Sequence, residues 1–507
     1  MRDVEKAQRT PLVNVSQTLR DDRQSLVLLL VVAFPIVFLA IQMFSSSFTL
    51  DEGITYWITN EGISEAWSRS IDFQGQSPLY FLIVNLLRQV FGDTEFSLRF
   101  LSLIAVLISA IYILKLGTQL FSREVGLTAA SIFTITLYPN NIDLLFARPY
   151  GLAVLLSTIS TYQLVDFLKN TTRLSLIRYL TSGVLLFYCH YLFAYVVAFH
   201  ALSVGAALIL CPSRRLFKQS LVLVFLGGVL GLPALPQLLL VSEKSSFYSF
   251  ALVPDFTTFL FELLWPDWIT RVIAVFLLVK ILLIRNATLS NIPRSKLSHL
   301  LFCLGWATVP VICVYFQSKF SYSVFLQRYF SGRCPGEALM LAILIVPQLR
   351  GKIAHFILLN STILLLTIGY ERGVIYGEDW KTGFQYVNSA ALERGVKPIV
   401  LIDPGLVEQK NEAWQNSMPE VDKYLTSISL PYLADANVVP FSITSNVTLL
   451  RQPELISTAN LSKLWIITRH PRDIQKMQQY LRYVSNLSKL EVAEDRFFSS
   501  IYIYRLH

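Results

Sequence analysis

The adjacent carboxylates Asp51 and Glu52 are the residues of this sequence that most directly suggest chemistry. They follow closely on an apolar run from Ser25 to Phe44, which is long enough to cross a bilayer. Ionisable residues are costly beside the hydrocarbon region, so carboxylates placed there indicate a functional site. A carboxylate can accept a proton from an attacking hydroxyl group. We therefore expect Asp51 and Glu52 to be catalytic, with a helix cap as the alternative role of Asp51.

Cationic residues recur in the short polar segments beside the later apolar runs. Arg148 precedes one run, Arg99 opens another, and Lys319 and Arg328 lie between two more. Such side chains neutralise a phosphate group as negative charge develops on it. With the acidic pair they suit a reaction on a membrane-borne phosphate ester, so we predict that all four bind a donor phosphate. The alternative for Arg148 and Arg328 is snorkelling to lipid headgroups.

Further polar and aromatic residues lie at the same expected membrane boundaries and are candidates for substrate binding. Each has a simpler interpretation, because loop carboxylates are commonly solvated and boundary tyrosines commonly form interfacial belts. A histidine at such a boundary is more often structural than catalytic. The candidates are Tyr56, Asp72, Gln76, Tyr80, Asp143, Tyr150, His190 and Tyr329.

The composition is that of a polytopic α-helical membrane protein. The chain has 507 residues, of which 53% are hydrophobic and 15% are charged, whereas soluble proteins average about 25% charged residues. The net charge of +9 is explained by Lys and Arg on the cytoplasmic side of a membrane, so no nucleic-acid partner is inferred. The five cysteines lie in the hydrophobic part without metal-ligand spacing, and we predict neither a disulfide framework nor a zinc site.

The apolar runs predict about eleven membrane spans. Residues 1–24 carry several arginines and are expected to form a cytoplasmic N-terminus. The first span is expected to remain as an anchor, because no small-residue cleavage site follows it. The predicted spans are 25–44, 99–121, 125–142, 150–168, 177–190, 192–210, 219–239, 267–285, 298–316, 334–349 and 354–370.

Residues 48–98 are expected to form an outer loop with surface helices inside a transmembrane domain of residues 25–370. The run from Ser77 to Val90 is apolar but short, and we predict that it lies on the outer surface. With this topology Lys115, Arg123 and most later basic clusters lie on the cytoplasmic side. If the run from Ser77 to Val90 crossed the membrane, most of these clusters would lie outside. The candidate site residues then share the outer face.

Residues 371–507 have a different composition and predict a small extracytoplasmic α/β domain. Short β-like runs occur at 398–402, 463–468 and 498–504, and they alternate with helix-like stretches from Thr382 to Gly395 and from Pro471 to Tyr483. No glycine-rich phosphate loop is present, so a nucleotide-binding domain is not expected.

Short motifs follow one another in order along the first 380 residues. They are Asp51-Glu52-x-x-x-Tyr56, Gln76-Ser77-Pro78-Leu79-Tyr80, Phe91-Gly92-x-x-Glu95-x-x-x-Arg99, Ala147-Arg148-Pro149-Tyr150, Arg328-Tyr329-Phe330 and Glu378-Asp379-Trp380. In this order and spacing they resemble the GT-C superfamily of membrane glycosyltransferases, which contains protein O-mannosyltransferases and lipid A aminoarabinose transferases and is family 39-like here. The resemblance implies a GT-C-like fold with its base in the first outer loop, at Asp51.

The resemblance also implies a function. It is the transfer of a monosaccharide from a polyprenyl-phosphate donor to an envelope lipid, glycan or protein acceptor, at the outer face of the plasma membrane. No cofactor is implied with certainty, and a divalent cation with unknown ligands stays an option. Gln76-Ser77 and Tyr150 depart from residues common in the family, which leaves the sugar and the acceptor open.

Two other functions are compatible with the same residues. The first is a transporter or flippase of lipid-linked sugar, and the second is a member that binds such a lipid without catalysis. Transporters commonly carry ionisable residues near the membrane midplane and inverted repeats. Here the charges collect at one face and no repeat is evident, which favours the enzyme.

Overall fold

Helices dominate the chain up to residue 370, and a mixed sheet follows. The computed structural model describes residues 15–73, 76–138, 141–243, 251–264, 294–349, 351–370, 378–406, 420–433, 436–443, 448–450, 460, 463–469, 479, 492–498 and 500–506.

Several of the helices begin at a capping residue that the sequence provides. Thr94 and Thr172 each accept a hydrogen bond from a backbone N–H three residues later, in capping boxes that fix where the helix starts. The helices are α1 (Val15–Ser45), α2 (Leu50–Thr59), α3 (Ile63–Asp72), α4 (Leu79–Phe91), α5 (Glu95–Leu120), α6 (Arg123–Ile135), α7 (Tyr150–Asn170), α8 (Arg173–Cys189), α9 (Ala194–Leu210), α10 (Arg214–Gly231), α11 (Leu235–Glu243), α12 (Phe256–Leu264), α13 (Arg294–Phe320), α14 (Cys334–Leu349), α15 (Ile353–Tyr370), α16 (Trp380–Glu393) and α17 (Val421–Leu425).

Short 3₁₀ turns lie at several of the junctions between these helices. They are Ile142–Leu144, Tyr191–Phe193, Leu232–Ala234, Gln327–Tyr329, Ser331–Arg333 and Ser427–Ser429.

Six helical segments within the described residues are long and apolar enough to cross a membrane. They are Leu26–Ser45, Glu95–Leu120, Tyr150–Asn170, Tyr191–Leu210, Arg214–Ser242 and Leu297–Phe320. Each coincides with a predicted span. The spans predicted at 125–142, 177–190, 334–349 and 354–370 correspond to shorter helices of 13, 17, 16 and 18 residues. The span predicted at 267–285 lies outside the described residues, so the number of about eleven stays a prediction.

The segment predicted to lie on the membrane surface forms α4, a helix of 13 residues. At 1.5 Å per residue it extends about 20 Å, which is less than the hydrocarbon thickness of about 30 Å. Arg88 near its end is buried and donates to the backbone carbonyl of Tyr56 at 2.7 Å and to the Thr59 hydroxyl at 2.8 Å. These bonds hold α4 against α2, so the two helices form one layer beside the membrane-spanning bundle.

The sheet at the C-terminal end has six strands in the order β3-β2-β1-β4-β6-β5. Strand β1 pairs in parallel with β2 and with β4, and the other neighbours are antiparallel. The strands are β1 (Ile399–Asp403), β2 (Asn437–Ile443), β3 (Thr448–Leu450), β4 (Leu464–Thr468), β5 (Val492–Phe498) and β6 (Ile501–Leu506).

Two of the predicted strands coincide with β1 and β4, which are buried and rich in Ile, Leu and Val. The run predicted at 498–504 is instead divided between β5 and β6, because the chain reverses at Ser500, where φ is +30°. The helix predicted from Thr382 to Gly395 is α16. The helix predicted from Pro471 to Tyr483 lies almost entirely outside the described residues.

The C-terminal part packs directly on α2 and its flanking chain. A Cβ atom added at Gly53 would lie 2.7 Å from the Cα atom of Ile428, so the two backbones are in close contact. Lys381 pairs with Glu95 at 2.9 Å, and the Tyr432 hydroxyl accepts a bond from the backbone N–H of Phe48 at 2.9 Å. The sheet and the acidic helix are therefore held on the same side of the bundle.

Candidate active site

Asp51 lies in the first turn of α2, where the local sequence fixes its position. Thr49 is the N-cap: its backbone N–H donates to the Glu52 carboxylate at 2.9 Å, and its hydroxyl accepts from the Glu52 N–H at 3.4 Å. A carboxylate in the first turn is stabilised by the helix dipole. The Asp51 side chain retains 35% exposure and pairs through Oδ2 with Nη1 of Arg328 at 2.8 Å.

Two arginines that are distant in the chain meet at Asp51. Arg148 is 3% exposed, and its Nη1 donates to the backbone carbonyl of Asp51 at 3.2 Å. Arg328 lies in the 3₁₀ turn Gln327–Tyr329, and its side chain is 21% exposed. Positions 148 and 328 are 97 and 277 residues from Asp51 in sequence. The fold thus brings together the predicted base and two of the residues predicted to bind phosphate.

The electrostatic environment of Asp51 favours its ionised form. Burial raises the pKa of the carboxyl group, but the positive charges of Arg148, Arg328 and Arg469 outweigh it, with the Arg328 hydrogen bond adding to their effect. The resulting pKa of Asp51 lies below its usual value. Asp51 is therefore a carboxylate across the physiological pH range.

Glu52 has different surroundings from Asp51, although the two are adjacent. Its carboxylate is 0% exposed and pairs with Arg99 through two contacts of 2.6 Å each. It also accepts the backbone N–H of Ala147 at 2.8 Å. Burial raises the pKa of Glu52, whereas Arg99 and the two backbone donors lower it, and the net shift is downward. Glu52 is thus an internal ion that joins α2, α5 and the segment before α7.

Arg99 is held in this buried pair and is not grouped with Arg148 and Arg328. Its guanidinium is 1% exposed and also donates to the backbone carbonyls of Met43 and of Ser47, the latter at 2.9 Å. These carbonyls lie at the end of α1 and just beyond it. Arg99 therefore ties the exit of the first span to the acidic helix.

An aromatic group borders the Arg328 side chain. The rings of Tyr150 and His190 are 5.5 Å apart, and the ring of Tyr329 lies 6.2 Å from Tyr150 and 5.9 Å from His190. Arg328 lies 5.9 Å from the centre of the Tyr150 ring. The Tyr150 hydroxyl and both ring nitrogens of His190 are buried, and they have no hydrogen-bond partner among the residues that the structure describes. Buried polar atoms of this kind are costly unless a ligand supplies the partner.

A cavity of about 340 Å³ opens beside this aromatic group. Its wall includes His190, Tyr329 and Gln76, and apolar side chains such as Phe187 and Leu326 form most of the remainder. The volume falls within the range of small-molecule sites, about 300–1,000 Å³. Three predicted substrate-binding residues, Gln76, His190 and Tyr329, therefore line one cavity. A fourth, Tyr150, lies beside it and neighbours His190 and Tyr329.

Asp143 and Tyr80 lie close to the same group without a direct bond to Asp51. Burial raises the pKa of Asp143 and the negative charge of Asp51 adds to the shift, while Arg328 and Arg148 act in the opposite direction. Tyr80 is fully buried, with its hydroxyl 3.5 Å from that of Ser102. Ser102 in turn donates to the backbone carbonyl of Phe146 at 2.7 Å. Tyr80 thus supports the segment that carries Arg148.

Three other predicted residues make local contacts elsewhere. Tyr56 is half-buried beneath Arg88, whose guanidinium lies 4.1 Å from the ring centre. Asp72 accepts a bond from Ser68 at 2.8 Å. Lys319 is exposed at the end of α13 and lies 5.8 Å from the Tyr315 ring centre. The structure does not bring these side chains into contact with Asp51, Arg148 or Arg328.

Glu378 and Arg469 are site neighbours that were not among the candidate site residues, although Glu378 opens the motif Glu378-Asp379-Trp380. Glu378 Oε2 accepts the backbone N–H of Leu50 at 3.1 Å, and its Oε1 pairs with Arg469 at 2.7 Å. A usable signal existed for Arg469, because it directly follows a predicted buried strand. Residues at the carboxyl ends of parallel strands commonly face a ligand crevice.

Within the part of the chain that the structure describes, no three His, Cys, Asp or Glu side chains are grouped as a metal site. Asp51 and Glu52 are instead each paired with a guanidinium group. The charge arrangement suits an anionic ligand beside an ionised carboxylate.

Comparisons with known proteins give a family match over part of the chain, and a fold. A family model described as dolichyl-phosphate-mannose-protein mannosyltransferase matches residues 75–239, a region that includes Arg148 and His190 but not Asp51 or Arg328. No curated protein matches the sequence.

Solved structures match over almost the whole chain. The crystal structure of ArnT from Cupriavidus metallidurans bound to undecaprenyl phosphate aligns with a TM-score of 0.55 and 12% identity, covering 94% of this chain and 97% of ArnT. The apo structure of the same protein aligns with a TM-score of 0.55 and 11% identity over the same shares. This chain therefore has the polytopic helical membrane fold of the GT-C glycosyltransferases, with a small C-terminal sheet region.

Proposed function

We propose that this protein is a glycosyltransferase that moves a monosaccharide from a polyprenyl-phosphate donor to an envelope lipid, glycan or protein acceptor. The observation that carries the proposal is the meeting of Asp51, Arg148 and Arg328. Arg328 also lies 5.9 Å from the ring centre of Tyr150, which neighbours the cavity residues His190 and Tyr329. The family match to mannosyltransferases and the undecaprenyl phosphate in the ArnT structure support the same class of donor.

The proposed reaction is a single displacement. The acceptor hydroxyl oxygen attacks the anomeric carbon, and the bond from that carbon to the phosphate oxygen breaks, so configuration inverts. The electron pair leaves with the polyprenyl phosphate, whose charge Arg148 and Arg328 offset. The hydroxyl proton passes to Asp51. Arg328 already bonds Oδ2 of Asp51, and the acceptor hydroxyl donates to Oδ1.

Glu52 and Arg99 have a supporting role in this mechanism. Because Glu52 accepts from the backbone of Ala147 and binds Arg99, it fixes Asp51 relative to the neighbouring Arg148. The Glu52 carboxylate is buried, and its oxygen atoms already accept hydrogen bonds from the protein. Such a carboxylate is suited to fixing the positions of its neighbours rather than to accepting a proton from a substrate.

The donor lipid has an apolar path beside the site. A second cavity of about 640 Å³ lies among α8, α9 and α10 and shares Phe187 and Ala194 with the cavity beside His190. An isoprenoid tail gains roughly 25 cal/mol for each Å² of apolar surface removed from water. We assign the tail to these apolar walls and the sugar to the polar end near Tyr150 and Tyr329.

The proposed topology follows the sequence analysis. Residues 1–24 are cytoplasmic, residues 25–370 form the transmembrane domain, and residues 371–507 form an extracytoplasmic domain that covers the site. The site then faces outward from the plasma membrane. A nucleotide-sugar pool is not expected there, which fits a lipid-linked donor.

The test uses membranes that contain the full chain. Undecaprenyl-phosphate-linked radiolabelled mannose, glucose, galactose and arabinose are supplied in turn, and label is followed from the donor lipid to other membrane components and proteins. Asp51→Asn is expected to reduce transfer roughly 10²–10⁴-fold, because the proton acceptor is lost. Asp495→Asn is the matched control, since Asp495 is exposed on β5, and wild-type rates are expected.

Two outcomes would contradict the proposal. Transfer by Asp51→Asn within severalfold of wild type removes Asp51 from the mechanism. Label that crosses the membrane but stays on its original lipid identifies the transporter alternative.

A further inference from the structure

The C-terminal sheet reaches the acidic helix through a chain of polar contacts. Arg469 directly follows β4, and its Nη2 pairs with Oε1 of Glu378 at 2.7 Å. The other oxygen of Glu378 accepts the backbone N–H of Leu50 at 3.1 Å and the indole N–H of Trp380 at 2.8 Å. The contacts therefore run from the end of a strand to the residue immediately before Asp51.

The sheet itself holds the Arg469 side chain in place. Its Nη1 donates to the backbone carbonyl of Pro404 and its backbone N–H donates to that of Asp403, each at 3.4 Å. Arg469 thus lies where the parallel strands β1 and β4 end. In open α/β sheets this edge, between strands whose connections leave in opposite directions, is the usual position of a ligand crevice.

Arg469 acts on Asp51 through its charge as well as through Glu378. Burial raises the pKa of Asp51, and Arg469 is one of three guanidinium groups that lower it. The Arg469 side chain is 32% exposed and that of Asp51 is 35% exposed, whereas Arg148 is buried. Arg469 and Asp51 therefore lie on the solvent-exposed side of the site, whereas the ion pair of Glu52 and Arg99 is buried.

We propose that Arg469 is a positioning residue of the active site: with Glu378 it fixes the first turn of α2 and supplies positive charge to the Asp51 carboxylate from the C-terminal sheet. The inference rests on the proposed glycosyl transfer and adds to it. The C-terminal sheet then contributes a charged residue to the site that Asp51, Arg148 and Arg328 form.

The experiment compares Arg469→Gln and Arg469→Lys in the full-length protein in membranes, with the undecaprenyl-phosphate-linked sugar that the wild type uses. Arg469→Gln is expected to lower kcat about tenfold with the donor KM unchanged. It is also expected to lower the ratio of the rate on the acid limb of the pH profile to the rate at pH 7. The rate ratio falls because Asp51 must be ionised to act as the base. Loss of the Arg469 charge raises the pKa of Asp51, so the decrease in rate at low pH begins at a higher pH. Arg469→Lys restores charge and is expected to keep the wild-type ratio.

Controls separate this inference from folding and from the proposed function. Arg496→Gln removes the same charge from β5, at the far edge of the sheet, and is expected to match wild type. If Arg469→Gln fails to fold, Glu378→Gln takes its place, because it keeps an acceptor for Leu50 but weakens the ion pair. Arg469 stays charged in this variant, so a lower kcat with the wild-type pH ratio is expected. A wild-type pH ratio in Arg469→Gln, or a wild-type kcat in Glu378→Gln, overturns the inference. A wild-type chain that transfers no sugar overturns the proposed function instead.

Discussion

Asp51 and Glu52 are neighbours in the chain, but their environments give them separate tasks. Glu52 is fully buried against Arg99, so replacing it leaves a buried guanidinium without its counter-charge. Breaking a buried pair in this way costs about 3–5 kcal/mol. We expect Glu52→Gln to lower the thermal unfolding temperature of the purified protein markedly, whereas Asp51→Asn leaves it near wild type.

A double substitution tests whether the Glu52 effect arises from this pair. Replacing both Glu52 and Arg99 by Met is expected to destabilise less than the sum of the two single changes, because no uncompensated charge remains. If Glu52→Gln unfolds at the wild-type temperature, the carboxylate does not hold the buried arginine in the folded protein.

The sequence was sufficient to identify Asp51 and Glu52 as important residues, but it was not sufficient to identify all the residues that bond to them. Asp51 was predictable because a carboxylate just beyond an apolar run is costly without a function. The partnership of Thr49 and Glu52 was also readable, since Thr-x-x-Glu at a helix start is the capping-box pattern. The pairing of Glu52 with Arg99 was not, because the two are 47 residues apart and only the packing of α1, α2 and α5 brings them together.

At the scale of elements, α2 lies between α4 and the C-terminal part. Arg88 of α4 holds one side of the helix, and Ile428 packs on the other. Gly53 allows this close approach, because a Cβ there would lie 2.7 Å from the Ile428 Cα and 2.8 Å from its Cδ1. The placement of Asp51 therefore depends on elements more than 300 residues apart in sequence.

Gly53→Ala is expected to disturb this contact. Alanine favours helix by about 1 kcal/mol over glycine, but the clash with the Ile428 backbone costs typically 1–3 kcal/mol. We expect a lower unfolding temperature and faster proteolysis of the C-terminal part. The measurements are thermal unfolding in detergent and limited proteolysis with mass spectrometry.

Gly228→Ala is the matched control for Gly53→Ala. Gly228 is also helical, in α10, and a Cβ there meets nothing within 4 Å. The control is expected to be neutral or slightly stabilising. Equal behaviour of the two variants would show that α2 tolerates a larger separation from the Ser427–Ser429 turn.

At the scale of the whole molecule, the order of motifs and the change at residue 371 were sufficient to predict a helical membrane fold followed by a sheet. Strands β1 and β4 were predictable because buried parallel strands are continuous apolar runs. The turn at Ser500 was not, because an apolar run gives no sign of where a hairpin reverses. The helix α6 ends at Ile135, short of the predicted end at residue 142. The sequence Pro139-Asn140-Asn141 is a turn signal that favours the earlier end.

We propose an orientation for the molecule from the hairpin of α7 and α8. Tyr150 and His190 meet at one end of this hairpin, and α7 has 21 residues, so the turn before Arg173 lies about 30 Å away. The positive-inside rule predicts that Arg173 lies on the cytoplasmic side. The α16 helix, which carries the exposed Glu393, lies at the end of the bundle that holds Asp51.

Cysteine labelling in sealed spheroplasts tests this orientation. The parent carries Cys211→Ala, because Cys211 is an exposed native thiol. A membrane-impermeant maleimide is expected to label Glu393→Cys at once and Arg173→Cys only after permeabilisation. The physical reason is that the basic residues of the α7–α8 turn are retained on the cytoplasmic side, so the opposite end of a helix about 30 Å long emerges outside. The reverse labelling pattern would place Asp51 in the cytoplasm and would contradict an extracytoplasmic glycosyl transfer.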